Sequence, residues 1–196
     1  MTCMSTSLSR AEAWTLLTEW VASTSLRRHC LAVEASMRAV AAERGADVEL
    51  WGVTGLLHDM DYERFPDPET GQPRHALAEL ERRDADPAMI QAITAHATYL
   101  GVAPESDLDR SLLAVDELSG FVVAVAQVRP EGIHGMTPRS VKKKLKTPAF
   151  AAAVSREDVA RGPELLGMEL DELIGLVIVA LAGAADALEL HGAAAA

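Results

Sequence analysis

The sequence predicts an all-α protein, and three observations carry that expectation. Hydrophobic residues fill 49% of the 196 positions while aromatic residues fill only 4%, with Ala and Leu abundant, a balance that favours helix packing over strand pairing. Apolar residues recur every three or four positions along most of the chain, which is the spacing of one helix face. Residues that start and stop helices flank these runs, Ser9 and Gly45 among them. The length suits one domain with a helical extension and leaves no room for a second catalytic domain.

Ser9-Arg10-Ala11-Glu12 has the spacing of a capping box, so a first helix is expected from about Ala11 to Ala22. The second runs from Ser25 to Arg44, with Leu26, His29, Val33, Met37 and Val40 on one face and Gly45 as its stop. His29 therefore faces inward. A third helix spans Asp47 to His58, where the small residues Gly52 and Gly55 allow a neighbour to approach closely. It ends on His58-Asp59. Successive helical residues point about 100° apart, so these two side chains reach one ion most easily where the backbone is leaving the helix.

Met60 to Pro73 contains Pro66, Pro68, Pro73 and Gly71 and reads as a loop over a site. Helical patterns resume at Arg74 to Arg83, with His75 in the first turn, and at Pro87 to Leu100, with His96 near the end. A long helix from Asp107 to Val128 carries Asp116 among Leu112, Leu113, Val115 and Leu118. Beyond a turn-rich stretch lie a short basic helix containing Lys142 to Lys146, then helices at Arg156 to Leu166 and Asp171 to Leu190, and a low-complexity tail, Ala193 to Ala196. The expected organisation is an N-terminal helix over residues 1–24, a metal-binding core over 25–135, and a C-terminal helical subdomain of the same globule over 136–196.

The net charge of −11 argues against stable nucleic-acid binding, which needs clustered Lys and Arg on the contact face. It leaves room for a small anionic substrate if bound metal reverses the local field. The two cysteines, Cys3 and Cys30, give at most one bridge, and a reduced cytoplasmic setting is the simpler expectation. Met1 to Arg10 has no apolar core of signal-peptide length. The apolar stretch Leu173 to Leu188 is short for a membrane span and carries Asp186. It suits a buried helix or the face of a homodimer, and the lean is to a homodimer.

The chemistry concentrates in His29, His58-Asp59, His75, His96 and Asp116. Four imidazoles and two carboxylates suffice for one or two divalent ions. A lone inward histidine is more often a hydrogen-bonded core residue, but a carboxylate among aliphatic residues, as Asp116 is, carries a large desolvation cost unless paired or bound to metal. One ion explains these anomalies together. Over roughly residues 25 to 125 the chain resembles the HD-domain superfamily, helical metal-dependent phosphohydrolases named for the His-Asp dipeptide.

The resemblance implies an HD-domain helical bundle in which His29, His58, Asp59 and Asp116 hold a first metal ion. Two-metal members carry further histidines in the interval occupied by His75 and His96, with Asp59 then bridging the ions. With one ion, His75 or His96 would instead be a general acid or a phosphate contact, so Asp59, His75 and His96 are the catalytic candidates. The ion could be manganese, iron, nickel, cobalt, zinc or magnesium. Cyclic-dinucleotide members carry a Gly-Tyr-Pro signature and paired histidines, whereas this chain has Met60-Asp61-Tyr62 and His96-Ala97. That argues against cyclic-dinucleotide cleavage.

The implied activity is hydrolysis of a phosphoester or phosphoanhydride in a small metabolite, with a nucleotide as the first candidate, by metal-activated water. Arg28, Arg129 and Lys143 are the candidate phosphate contacts, although the run Lys142 to Lys146 reads first as a solvated face. Asp61 and Glu117 are candidates to orient ligands. His134 and His191 stand outside the pattern, as a loop residue and a helix-end residue. Two alternatives stay open: a di-iron oxygenase of the same superfamily, which cleaves a carbon bond with the six-ligand set, and a non-catalytic metal- or ligand-binding helical module.

Overall fold

Most helices begin at a side chain that takes up the free amides of a first turn, and those starts set the positions of everything that follows. The computed structural model describes residues 8–192, and no strand occurs among them. Helix α1 (Arg10–Trp20) opens with the complete Ser9/Glu12 capping box. Ser23 caps α2 (Thr24–Arg44), which ends on Gly45 in the left-handed conformation, φ 65°. Asp47 accepts from the amides of Glu49 and Leu50 at the start of α3 (Val48–Leu57).

Helix α4 (Arg74–Arg82) has no cap of its own at Pro73. The buried carboxylate of Asp61 reaches across from the preceding loop and accepts the Ala76 amide at 2.9 Å. Helix α5 (Pro87–His96) starts from Asp86 and stops earlier than its periodicity suggests, giving way to a single 3-10 turn, Thr98–Leu100. A Ser106/Asp109 capping box opens α6 (Asp107–Gln127). Three further helices follow, α7 (Pro138–Leu145), α8 (Arg156–Leu166) and α9 (Leu170–Gly183).

The last expected helix is broken. Ala184 leaves helical geometry at φ −108°, and a four-residue α10 (Ala185–Leu188) follows. The cause is tertiary: Leu190 folds back so that its carbonyl accepts the Ile133 amide at 2.8 Å.

Packing divides into two hydrophobic clusters. The larger joins Val33 and Met37 of α2, Leu118 and Phe121 of α6, Val159 of α8, and Val177 and Leu181 of α9. Burying each such side chain contributes roughly 1.5–3 kcal/mol, so α8 and α9 are integral to this core. The smaller cluster joins Leu16 and Leu17 of α1, Leu56 and Leu57 of α3, Leu80 of α4 and Ile93 of α5. A charged network around the buried Glu34 of α2 ties three helices together, with Glu34 accepting from Arg10 and Arg38, and Arg38 also gripping Glu49.

Cys30 is buried with a free thiol. Cys3 and the Ala193 to Ala196 tail lie outside the described residues. No helix among the described residues is long and apolar enough to cross a membrane.

Candidate metal centre

Four helices converge on one point at the seam between the two clusters. His29 falls in the second turn of α2, with its side chain 25% exposed toward a cleft. Helix α3 lies close against α2 because Gly55 has no side chain; a Cβ there would sit 2.9 Å from Met37 Cγ and 3.0 Å from the Val33 carbonyl. That contact brings the end of α3 to His29. His58, fully buried, is the C-cap of α3 and keeps helical dihedrals, and the chain then turns through Asp59.

Asp116 comes from the middle of α6 and His96 from the end of α5. One turn beyond Asp116, Gly120 leaves room for the His29 ring; a Cβ there would already touch Nδ1 at 3.4 Å.

The ligand atoms face one another. His29 Nε2 lies 3.2 Å from His58 Nε2, 3.0 Å from Asp116 Oδ1 and 3.8 Å from Asp59 Oδ2. His58 Nε2 lies 3.3 Å from Asp116 Oδ1 and 3.5 Å from Asp59 Oδ2. His96 Nε2 meets the other oxygen of Asp116 at 2.8 Å. Donors about 2.0–2.2 Å from a shared ion are spaced roughly 2.8–3.6 Å apart in octahedral or tetrahedral arrangements. All but the His29–Asp59 pair fall in that range. The groups His29/His58/Asp59 and His58/His96/Asp116 are therefore each positioned to hold a divalent ion.

The surroundings orient the donors. His58 Nδ1 lies 2.7 Å from the Gly55 carbonyl, so it carries the proton of the neutral ring and leaves Nε2 as the inward lone pair. Burial opposes ionisation of Asp116, but the His58 charge and hydrogen bonds from His29, His58 and His96 outweigh it and hold the carboxyl well below the usual range. Burial likewise opposes charge on His96. The hydrogen bond and charge of Asp116 prevail, and in the metal-free centre the imidazolium persists to about 9. Asp116 thus draws positive charge to itself, which in the metal-free centre includes the proton on His96. Cys30, nearby, is driven the other way, its thiol pushed well up by burial and by Asp59 and Asp116. It is no nucleophile.

The structure does not bring His75 to this cluster. Its ring is exposed at the start of α4 and stacks on Phe65, centroids 3.8 Å apart. In its place Gln72, only 7% exposed, donates from Nε2 to Asp59 Oδ1 at 2.5 Å, and its backbone carbonyl accepts from Tyr99. Nothing in the sequence singled out Gln72, since an uncharged amide in a proline-rich loop carries no burial penalty that periodicity can expose.

Among the other candidates, Asp61 caps α4 as described, and Glu117 accepts the Ser155 amide at 3.1 Å while lining the cleft. Burial and the neighbouring Asp116 push the Glu117 carboxyl up.

The cleft has two adjoining chambers that share His29, Asp59 and Tyr62. One, about 370 Å³, reaches His96, Asp116 and Glu117, and the other, about 590 Å³, extends past Leu26 and Val123 to Arg28. Arg28 is the sole Lys or Arg lining either chamber among the described residues, and it is paired with Glu189. Two expected phosphate contacts are elsewhere. Arg129 is spent on the carbonyls of Gly132 and His134, and Lys143 lies exposed on α7 outside both chambers.

No curated protein and no solved structure matches the chain. The family model described as HD domain matches residues 26–120, a span that contains His29, His58, Asp59, His96 and Asp116. With its helical fold and its converging His and Asp donors, the chain belongs over that span to the HD-domain family, whose members are mostly metal-dependent hydrolases.

Proposed function

We propose that the protein is a phosphohydrolase that cleaves a phosphoester or phosphoanhydride bond of a small metabolite, with nucleotides as the first substrate class. The observation that carries this reading is the convergence of His29, His58, Asp59 and Asp116 on the floor of an open cleft, with His58 Nε2 at ion-sharing distance from the other three donors. His29, His58, Asp59 and Asp116 would hold the ion, and His96 would fix Asp116 from the far side. A divalent ion bound there supplies hydroxide near neutral pH and offsets charge on phosphoryl oxygens.

The chain's own residues do the rest. Gln72 steadies Asp59, and Glu117, beside Asp116, is placed to accept a proton from water in the smaller chamber. With Arg28 as the single Lys or Arg lining the chambers among the described residues, the protein offers little cationic grip of its own. Charge neutralisation then falls to the metal centre. Tyr62, half exposed and shared by both chambers, presents an aromatic face suited to a base.

The di-iron oxygenase alternative draws on a six-ligand set, and the position of His75 on Phe65 weighs against it. A non-catalytic module would keep the metal and show no turnover. The deciding experiment is elemental analysis of protein purified without chelator, beside Asp59→Asn, followed by a panel of nucleotides and phosphoesters with the metal found. Metal lost in Asp59→Asn, together with phosphate release by the native protein alone, is the expected result. Two irons per chain with oxygen consumption, or metal without phosphate release, would overturn it.

A further inference from the structure

A second cluster of metal-ligating side chains lies away from the centre, where the C-terminal segment meets the loop after α6. His134 Nε2 faces His191 Nδ1 at 3.0 Å, and the two rings lie nearly end to end, 22° from coplanar, with centroids 5.2 Å apart. On its other side His191 Nε2 meets Asp186 Oδ1 at 2.6 Å. A carboxylate accepts only from N–H, so Asp186 sets the tautomer of neutral His191 and leaves Nδ1 as a lone pair aimed at His134. This is the carboxylate–histidine arrangement that orients imidazole ligands in metal sites.

Both ring-bearing segments are held by backbone contacts that do not involve the rings. Ile133 donates to the Leu190 carbonyl at 2.8 Å, and Arg129 grips the carbonyls of Gly132 and His134 at 2.9 and 3.1 Å. Gly132 and Gly192, both at positive φ, let the two strands of chain approach; a Cβ on Gly132 would collide with the Leu190 carbonyl. The imidazoles therefore meet because the backbone places them together. Beside them a cavity of about 480 Å³, lined by Asp186, Glu189 and His191, leaves space for water to complete a coordination shell.

We propose that His134 Nε2 and His191 Nδ1 form a peripheral two-histidine site for a borderline divalent transition ion such as zinc, with Asp186 as its orienting carboxylate. The site is independent of the central His/Asp cluster and of the reaction assigned to it. The ion would pin the C-terminal segment, whose Glu189 holds Arg28 at the mouth of the larger chamber. The competing arrangement is a plain hydrogen-bonded chain in which His134 donates to His191.

Equilibrium dialysis of the full chain against Zn2+ separates the two. His134→Gln and His191→Ala should each bind one equivalent fewer than the native protein at the same free Zn2+, while the ions held by the central cluster stay in place. Asp186→Asn should keep the equivalent but bind it on the order of tenfold more weakly. Equal stoichiometry in the native protein and either histidine variant would overturn the site. Histidine ring NMR of the native protein reads the same ligands without relying on the histidine variants folding: shifts of the His134 and His191 ring signals on adding Zn2+ beyond saturation of the central cluster support the pair, and unmoved signals exclude it.

Discussion

Asp116 concentrates the chemistry of the molecule in one side chain, receiving His29 and His58 on one oxygen and His96 on the other. Its replacement by Asn should lower retained metal at least tenfold, read by elemental analysis after purification without chelator. His75→Ala should leave metal content unchanged, because the His75 ring packs on Phe65 rather than into the cluster; its cost is lost stacking, about 0.5–1.5 kcal/mol in urea unfolding. Loss of metal from His75→Ala would mean that the ring swings inward on binding. The difference between these residues also marks how far sequence reasoning reaches. A carboxylate embedded among Leu112, Val115 and Leu118 is conspicuous because its desolvation needs explaining. A histidine in the first turn of a helix says nothing about which way its ring turns, and spacing alone grouped His75 with the others. Gln72 was silent for the opposite reason, having no charge to betray its burial.

At the level of elements, the α2/α3 crossing is the contact on which the centre depends. Gly55→Val should force α3 away from Val33 and Met37, costing about 1–3 kcal/mol, and should separate His58 from His29, so that metal retention falls with stability. Retained metal in a destabilised Gly55→Val protein would show that the turn at His58-Asp59 adjusts independently of the crossing. On α4, the Arg82 and Arg83 hydrogen bonds hold the Glu79 carboxyl down to about 2. A depressed folded value stabilises above the unfolded value near 4.5, and the contribution disappears as pH falls from there toward 2. Glu79→Gln should therefore flatten the acid limb of a pH-stability curve by about 0.2–1 kcal/mol, the usual range for such solvent-facing pairs. Helix starts were legible at Ser9, whose capping box announces α1, and at Asp47, from which α3 follows. The break at Ala184 was not, since Gly175 lies inside the same helix without ending it and Gly183 alone therefore marks no stop; the chain turns there to dock Leu190 on Ile133.

Across the whole molecule, the all-α class followed from composition and periodicity, whereas the division into two cores did not, because a helical face records that a side chain is buried and not against which neighbour. The larger core contains α6 and α2 from Ala32 onward, and the smaller contains most of the buried side chains of α3 together with Met89 and Ile93 of α5 and Cys30 of α2. Asp116 thus belongs to one body, while His29, flanked by Leu26 and Cys30, and His58-Asp59 belong to the other. An ion shared among them would act as a rivet between two units that otherwise open separately. Amide hydrogen exchange should report this directly: with metal bound, the slowest amides of α3 and α5 should exchange at the rates of those in α6, and after chelation they should exchange faster as a group while α6 keeps its protection. Loading the centre would then do more than arm it. It would merge two unfolding events into one, so that a chain lacking its ion is loosened first on the side that carries the His-Asp dipeptide.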